Sequence, residues 1–287
     1  MTCVPLTPGN SQRHYSPDDN FHFTIFICGG YPVTGIRIAV IGGTGIYDLA
    51  VLENTRKEEL STPFGRVMIV HGSIHGKEVA FMARHGENHS APPHLVNYRA
   101  NIWGLKQIGV KNIFATAAVG SLNLKMEPGQ LVLVDQFLDF TRSRPQTFVE
   151  KGVLHLDMTT PYCPELRKLL AVTAKQLGLV YHYGGTYVCS EGPRFETPAE
   201  VRMFRRLEGD VVGMTGVPEV VLAKEAGMCY ATIAMVTNFA AGISIHRLSH
   251  EEVVNIMTEN AGNLRQLLIN AISALDPGRT CVCRNEG

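Results

Sequence analysis

The chain has no stretch approaching the ~18 consecutive apolar residues that a membrane helix needs. Its most apolar early segment, Phe21–Cys28, is interrupted by His22. Asp18 and Asp19 precede that segment where an export signal would carry positive charge. Net charge is also missing, because 26 Lys and Arg balance 26 Asp and Glu. That balance removes the electrostatic footprint of a nucleic-acid or acidic-membrane binder and leaves small molecules and protein partners as ligands. Nor is there a disulfide framework. The seven cysteines (Cys3, Cys28, Cys163, Cys189, Cys229, Cys281 and Cys283) follow no regular spacing, and their odd number points to a reducing cytoplasm. Only Cys281 and Cys283 stand as a pair, readable as a strained, redox-labile disulfide or as chance neighbours on a frayed tail. His85, His89 and His94 lack a Cys or carboxylate at familiar ligand spacing, so no metal is expected.

What is present is enough chain to bury a large core: 287 residues, 45% of them hydrophobic. Residues 1–36, punctuated by Pro5, Pro8, Pro17 and Pro32, read as a loose N-terminal extension. Residues 37–275 read as one domain, and 276–287 as a flexible tail. The regular pattern begins at Arg37–Ile41, a β-branched run entering a glycine turn. Further strands are predicted at Arg66–His71, Glu78–Met82, Asn112–Thr116, Leu131–Val134, Gly185–Cys189, Val211–Gly213 and Tyr230–Val236. Helices are predicted at His94–Ile108, Pro164–Leu177, Pro198–Leu207, Pro218–Ala226 and His250–Ala274, three of them opened by a first-turn proline. Strands interleaved with helices predict a single-domain α/β fold with a central mixed sheet flanked by helices.

Chemistry-bearing residues cluster at predicted strand ends, where open α/β sheets bind ligands. Gly42-Gly43-Thr44-Gly45 is neither a dinucleotide fingerprint nor a Walker loop. Its backbone N–H groups and the Thr44 hydroxyl can still hold a small oxyanion, or it is an ordinary tight turn. Arg84 and His85 follow the next strand and offer a planar fork and a further donor to phosphate. Ala117 and Ala118 let a ligand approach the backbone, and Thr215 precedes a helix start that favours anions. Phe195 can stack on a flat heterocycle while Glu196 accepts its N–H; a core Phe beside a solvated Glu is the plainer reading. Asn238, at another strand end, can donate to one acceptor and accept from one donor, or simply shape a turn.

Taken in order, these residues resemble the trimeric purine nucleoside phosphorylase and methylthioadenosine phosphorylase family. The resemblance runs from about Arg37 to Leu275. Its most specific stretches are Ile41–Gly45, Ala83–Gly86, Val96–Trp103, Glu191–Phe195 and Met214–Ala223. It implies a nucleoside phosphorylase fold and phosphorolysis with phosphate as co-substrate, without metal or organic cofactor. It further implies that Thr44, Arg84, His85, Ala117, Ala118 and Thr215 hold phosphate. Phe195, Glu196, Met214, Asn238, Ala240 and His250 would contact the nucleoside, and His155 would reach a neighbouring subunit's pocket in a homotrimer or hexamer. Asn238, His85 and Glu196 would act in catalysis. At Ala117 many methylthioadenosine enzymes carry a hydroxyl residue instead.

Three positions bear on the substrate. Methylthioadenosine phosphorylases usually have Ser where Glu196 stands, Thr-Asp-Tyr-Asp where Thr237-Asn238-Phe239-Ala240 stands, and a small apolar residue near His250. All three differences favour a 6-oxopurine. Its N1–H donates to a Glu196 carboxylate, whereas adenine N1 would face the carboxylate lone pairs. Such mismatches leave buried polar groups unpaired and discriminate by factors on the order of 10⁴. The resemblance therefore implies cleavage of inosine and guanosine. The alternatives are a methylthioadenosine or methylthioinosine phosphorylase, a nucleosidase using water, and a catalytically silent nucleoside-binding protein.

Overall fold

Ile38–Gly42 is buried along its whole length and forms β1, as its β-branched run predicts for a strand covered on both faces. It pairs in parallel with β4 (Lys77–Ala83) and β5 (Asn112–Ser121). The structure is a computed structural model that describes residues 35–43, 52–86, 90–244, 249–281 and 283, leaving out the side chains of His250 and Glu252. The expected extension over 1–36 and the expected phosphate contact Thr44 lie outside the described residues, apart from Gly35 and Ile36.

Eleven strands form one sheet among the described residues. The order β2-β3-β4-β1-β5-β10-β9-β7 branches at β5, which also pairs with β11, and β11 continues to β6 and β8. Both parallel and antiparallel neighbours occur, so the sheet is mixed as expected. The predicted strands become β3 (Gly65–Ile74), β4, β5, β6 (Leu131–Leu133), β9 (Thr186–Ser190), β10 (Val211–Gly213) and β11 (Cys229–Phe239). β2 (Glu53–Thr62), β7 (Gln136–Phe140) and β8 (Tyr181–Tyr183) are not foreseen. β2 is polar and mostly exposed, so antiparallel pairing with β3 holds it and burial leaves no pattern to read. β5 continues past the expected Thr116 to Ser121 through Ala117, Ala118 and Gly120, residues without the bulk that marks a strand. Ladder bonds to β11 run along its full length and supply what side chains do not.

The helices follow their caps. α1 spans Tyr98–Gln107, not the expected His94 start, because the Asn97 side chain accepts the Ala100 N–H at 3.1 Å and Pro93–Leu95 forms a separate 3₁₀ turn. α2 (Pro164–Gln176) opens on proline, and α3 (Pro198–Arg206) on a Thr197–Glu200 capping box. α4 (Gly216–Glu225) has Val217 extended (φ −115°, ψ 134°), so its regular turns begin at Pro218, as expected. α5 (His250–Ala274) has the expected bounds.

Two apolar cores lie on opposite faces of the sheet. Tyr98, Ile102 and Leu105 of α1 join Val217, Val220 and Ala223 of α4 in one. Leu166 and Leu170 of α2 join Met257, Leu264, Leu268 and Ile272 of α5 in the other. The α5 stripe is therefore core, as its periodicity predicts. Beyond α5, the expected flexible tail is packed at Arg279, which pairs with Glu165, and at Cys281 and Cys283, both buried.

Candidate active site

A cleft of about 220 Å³ opens at the ends of β1, β4, β5, β10 and β11. Arg84, His85, Ala117, Ala118, Phe195, Glu196, Met214, Thr215, Asn238 and Ala240 all line it, so ten expected site residues come together from five separate segments. His155 does not line it and is exposed. The His250 side chain lies outside the described set, but Val253, one turn along α5, lines the cleft.

Arg84 is buried, and its position is fixed. Nε and Nη2 donate to the two carboxylate oxygens of Glu219 at 2.7 Å each, and Nη1 donates to the Thr116 carbonyl at 2.7 Å. Those three bonds use three of the five guanidinium donors, leaving two that can meet an anion in the cleft. Burial opposes the charge, but Glu219 attracts and hydrogen-bonds it strongly enough to raise the Arg84 pKa further. Tyr230 donates to the same carboxylate at 2.6 Å. Gly43 lies against this group: its N–H donates to Thr116 Oγ1 at 3.0 Å. A Cβ there would stand 2.7 Å from the Thr116 carbonyl and 2.9 Å from Arg84 Nη1. Only glycine lets the turn approach so closely.

His85 lies 2.9 Å through Nδ1 from the Ala91 carbonyl. A carbonyl only accepts, so Nδ1 carries the proton of this bond, which fixes how the ring stands at the cleft wall. Thr215 is buried, with its N–H donating to Tyr187 Oη at 3.3 Å.

The other group of polar residues suits a purine. Glu196 is 9% exposed, and Ser190 Oγ donates to its Oε1 at 2.5 Å. Desolvation raises the Glu196 pKa, with the Ser190 bond opposing that rise. Asn238 sits beyond a bulge: β11 runs in register with β5 up to Val236 opposite Val119, then resumes at Asn238 opposite Gly120. The extra residue, Thr237, re-aims the strand end. Thr237 Oγ1 donates to Asn238 Oδ1 at 2.8 Å, and Asn238 Nδ2 donates to the Phe239 carbonyl at 2.9 Å. The second Nδ2 proton remains for a ligand acceptor. Phe195, 41% exposed, adds an aromatic face.

Sequence reasoning missed Glu219, Ser190 and Arg144. Glu219 is fully buried, and a charge set just before the apolar run Val220–Ala223 was the available signal. Arg144 gave no signal, since it lies in an irregular segment. It is buried and donates through Nη1 to Tyr98 Oη (3.2 Å), the Met214 carbonyl (2.7 Å) and the Val217 carbonyl (2.9 Å). Its Nη2 donates to the Glu191 carbonyl at 2.6 Å. It thereby ties together the two loops that carry Glu196 and Thr215.

The description "Phosphorylase superfamily" matches residues 37–273. The chain belongs to the phosphorylase superfamily. A protein of Moorella thermoacetica, described as a probable 6-oxopurine nucleoside phosphorylase, is 57% identical over 251 residues, which are 86% of this chain and 96% of that one. The 6-oxopurine nucleoside phosphorylase of Pyrococcus furiosus is 53% identical over 257 residues, 87% and 97% of the two chains. Among solved structures, a methylthioadenosine phosphorylase from an Antarctic soil metagenomic library superposes with a TM-score of 0.82 at 37% identity, covering 88% of this chain and 90% of that one. The superfamily fold extends over all the elements from β1 to α5.

Proposed function

We propose that this chain is a 6-oxopurine nucleoside phosphorylase, cleaving inosine and guanosine with phosphate to the free base and ribose 1-phosphate. The observation that carries the reading is the presence of Glu196 and Asn238 in the same cleft as Arg84 and His85. Phosphate held by Arg84, His85, Thr215 and the backbone at Ala117 and Ala118 attacks C1′ as the C1′–N9 bond breaks. The bonding electrons leave with the purine, and negative charge spreads to N7 and O6. The free Asn238 Nδ2 proton meets that charge, and the Glu196 carboxylate accepts N1–H. An interaction that strengthens as charge develops lowers the barrier as well as aiding binding. Holding both substrates in one cleft contributes orientation.

The second reading is a 5′-methylthio nucleoside, methylthioinosine or methylthioadenosine. It is favoured by apolar Val253, which lines the cleft one turn beyond His250. Steady-state phosphorolysis of inosine, guanosine, methylthioinosine and methylthioadenosine, with and without phosphate, separates the readings. We expect inosine and guanosine to lead and activity to require phosphate. A preference for methylthioadenosine, or undiminished cleavage in water alone, overturns the proposal.

The assembly proposed is a homotrimer or hexamer in which His155 reaches a neighbour's cleft. Supporting it, His155 follows Val153 and Leu154, which are 80% and 47% exposed and apolar. A cytoplasmic setting accords with the five described cysteines, none of which forms a disulfide.

A further inference from the structure

Four of those thiols meet at one point. Cys163 lies at the start of α2, Cys229 opens β11, and Cys281 and Cys283 come from the tail after α5. Their sulfur atoms all lie within 4.8 Å of one another. Cys281 to Cys283 is 3.1 Å, Cys229 to Cys283 is 3.2 Å and Cys163 to Cys281 is 3.7 Å. All four are buried, at 8% exposure or less. Spacing in the sequence conceals the set, since no Cys-x-x-Cys occurs and the members are drawn from three distant segments.

We propose that these four cysteines form a structural metal site for a thiophilic, tetrahedral cation, with zinc as the best fit. Zinc bound to four thiolates at about 2.3 Å places its sulfurs about 3.7 Å apart, and the observed cage needs only small adjustments to reach that spacing. Four thiolates around a divalent ion leave a net charge of about −2, which a buried site must offset. Arg279, which also pairs with Glu165, brings one positive charge to the cage, its Nη2 lying 3.4 Å from Cys163 Sγ. Cys163 is also the N-cap of α2, so the positive end of the helix dipole faces its sulfur. Binding releases the thiol protons to solvent and involves no change of oxidation state.

The site is remote from the purine cleft. Cys229 and Asn238 stand nine residues apart on β11, about 30 Å along an extended strand. Its role is therefore to fasten the tail to α2 and β11. Metal bound by the native state alone adds stability by mass action.

The test uses the full chain purified under a thiol-protecting reductant, stripped with a chelator and then given zinc or cobalt(II). We expect about one zinc per chain by elemental analysis and the tetrahedral tetrathiolate spectrum with cobalt. Four thiols should become protected from alkylation on loading. Chelation should lower Tm by ~5 °C or more. In Cys281→Ser/Cys283→Ser, metal content should fall to near zero while inosine phosphorolysis at 25 °C is retained. If that variant fails to fold, the zinc stoichiometry and cobalt spectrum of the unaltered chain still decide. Absence of stoichiometric metal in the zinc-supplied protein overturns the site. So does an intact mass lower by roughly 2 Da per cysteine pair before any oxidant is added, which would mean disulfides in place of the cage.

Discussion

The proposed base recognition comes down to a few atoms of two side chains. Asn238 has Oδ1 engaged by Thr237 and one Nδ2 proton by the Phe239 carbonyl, so a single N–H points its selectivity at an acceptor. Asn238→Asp replaces that donor with a lone pair, which repels O6 and N7 of a 6-oxopurine and attracts a 6-amino group. We expect inosine kcat/KM to fall by about 10²–10³-fold, with adenosine improving relative to inosine. An unchanged inosine-to-adenosine ratio would mean that Asn238 does not read the base. Glu196 adds a pH dependence of definite sign. Burial raises its pKa above the ordinary carboxylate value, so protonation sets in at higher pH than for a solvated glutamate. A protonated Glu196 cannot accept N1–H but can donate to adenine N1. Inosine KM should therefore rise as pH falls, starting above the usual carboxylate range, while adenosine gains relative to inosine. Glu196→Gln should flatten that profile. A wild-type KM profile that is flat through the acid limb would remove Glu196 from N1 recognition. Both residues sit in stretches singled out from sequence, yet neither signal is strong alone, because buried Asn and Glu residues also serve turns and caps. Only the cleft brings them together.

At the scale of elements, what could be read depended on whether burial follows a period. α5 is bounded as predicted because its apolar stripe repeats at helical spacing and its inner face is core. β2 was invisible because cross-strand pairing holds a polar strand with hardly any buried face. The start of α1 was misread because a side-chain cap at Asn97 decided it. The far end of α5 is settled by a residue from another element. Lys77 of β4 donates through Nζ to the carbonyls of Ile272 (3.2 Å), Ser273 (2.5 Å) and Leu275 (2.6 Å). These carbonyls lie at the C-terminal turn, where that of Ile272 also accepts the Leu275 N–H at 3.2 Å, and the cation meets the negative end of the dipole. Lys77→Met should cost about 1–3 kcal/mol in urea unfolding, with faster hydrogen exchange in the last turn of α5 and unaltered inosine KM. Unchanged stability would show that water replaces the Lys77 cap without loss.

Across the whole molecule, the cleft is held by a buried polar network that joins four elements. Arg84 after β4, Thr116 in β5, Glu219 in α4 and Tyr230 in β11 are bonded to one another at 2.6–2.7 Å. Such a network is invisible to any local pattern, since its members are 32 to 135 residues apart in the Arg84 bonds alone. Arg84 was legible because arginine at a strand end suggests an anion. Its partner was not, because a glutamate in a helix gains meaning only from what it faces. The pairing also supplies what the proposed phosphate role of a buried arginine requires: Glu219 fixes the fork, and two guanidinium donors are left for an anion. Glu219→Gln keeps the size and one acceptor but leaves the Arg84 charge buried without a counter-ion. Breaking a buried pair in this way costs about 3–5 kcal/mol, less whatever the amide oxygen recovers. Phosphate should then show an increase in KM of ~10-fold or more, since a loosened fork loses its preorganisation. Inosine binding measured without phosphate should change little, because Glu196 and Asn238 are tied to Ser190 and Thr237 instead. Equal losses for phosphate and inosine would show that the network supports the cleft as a whole and does not act through Arg84.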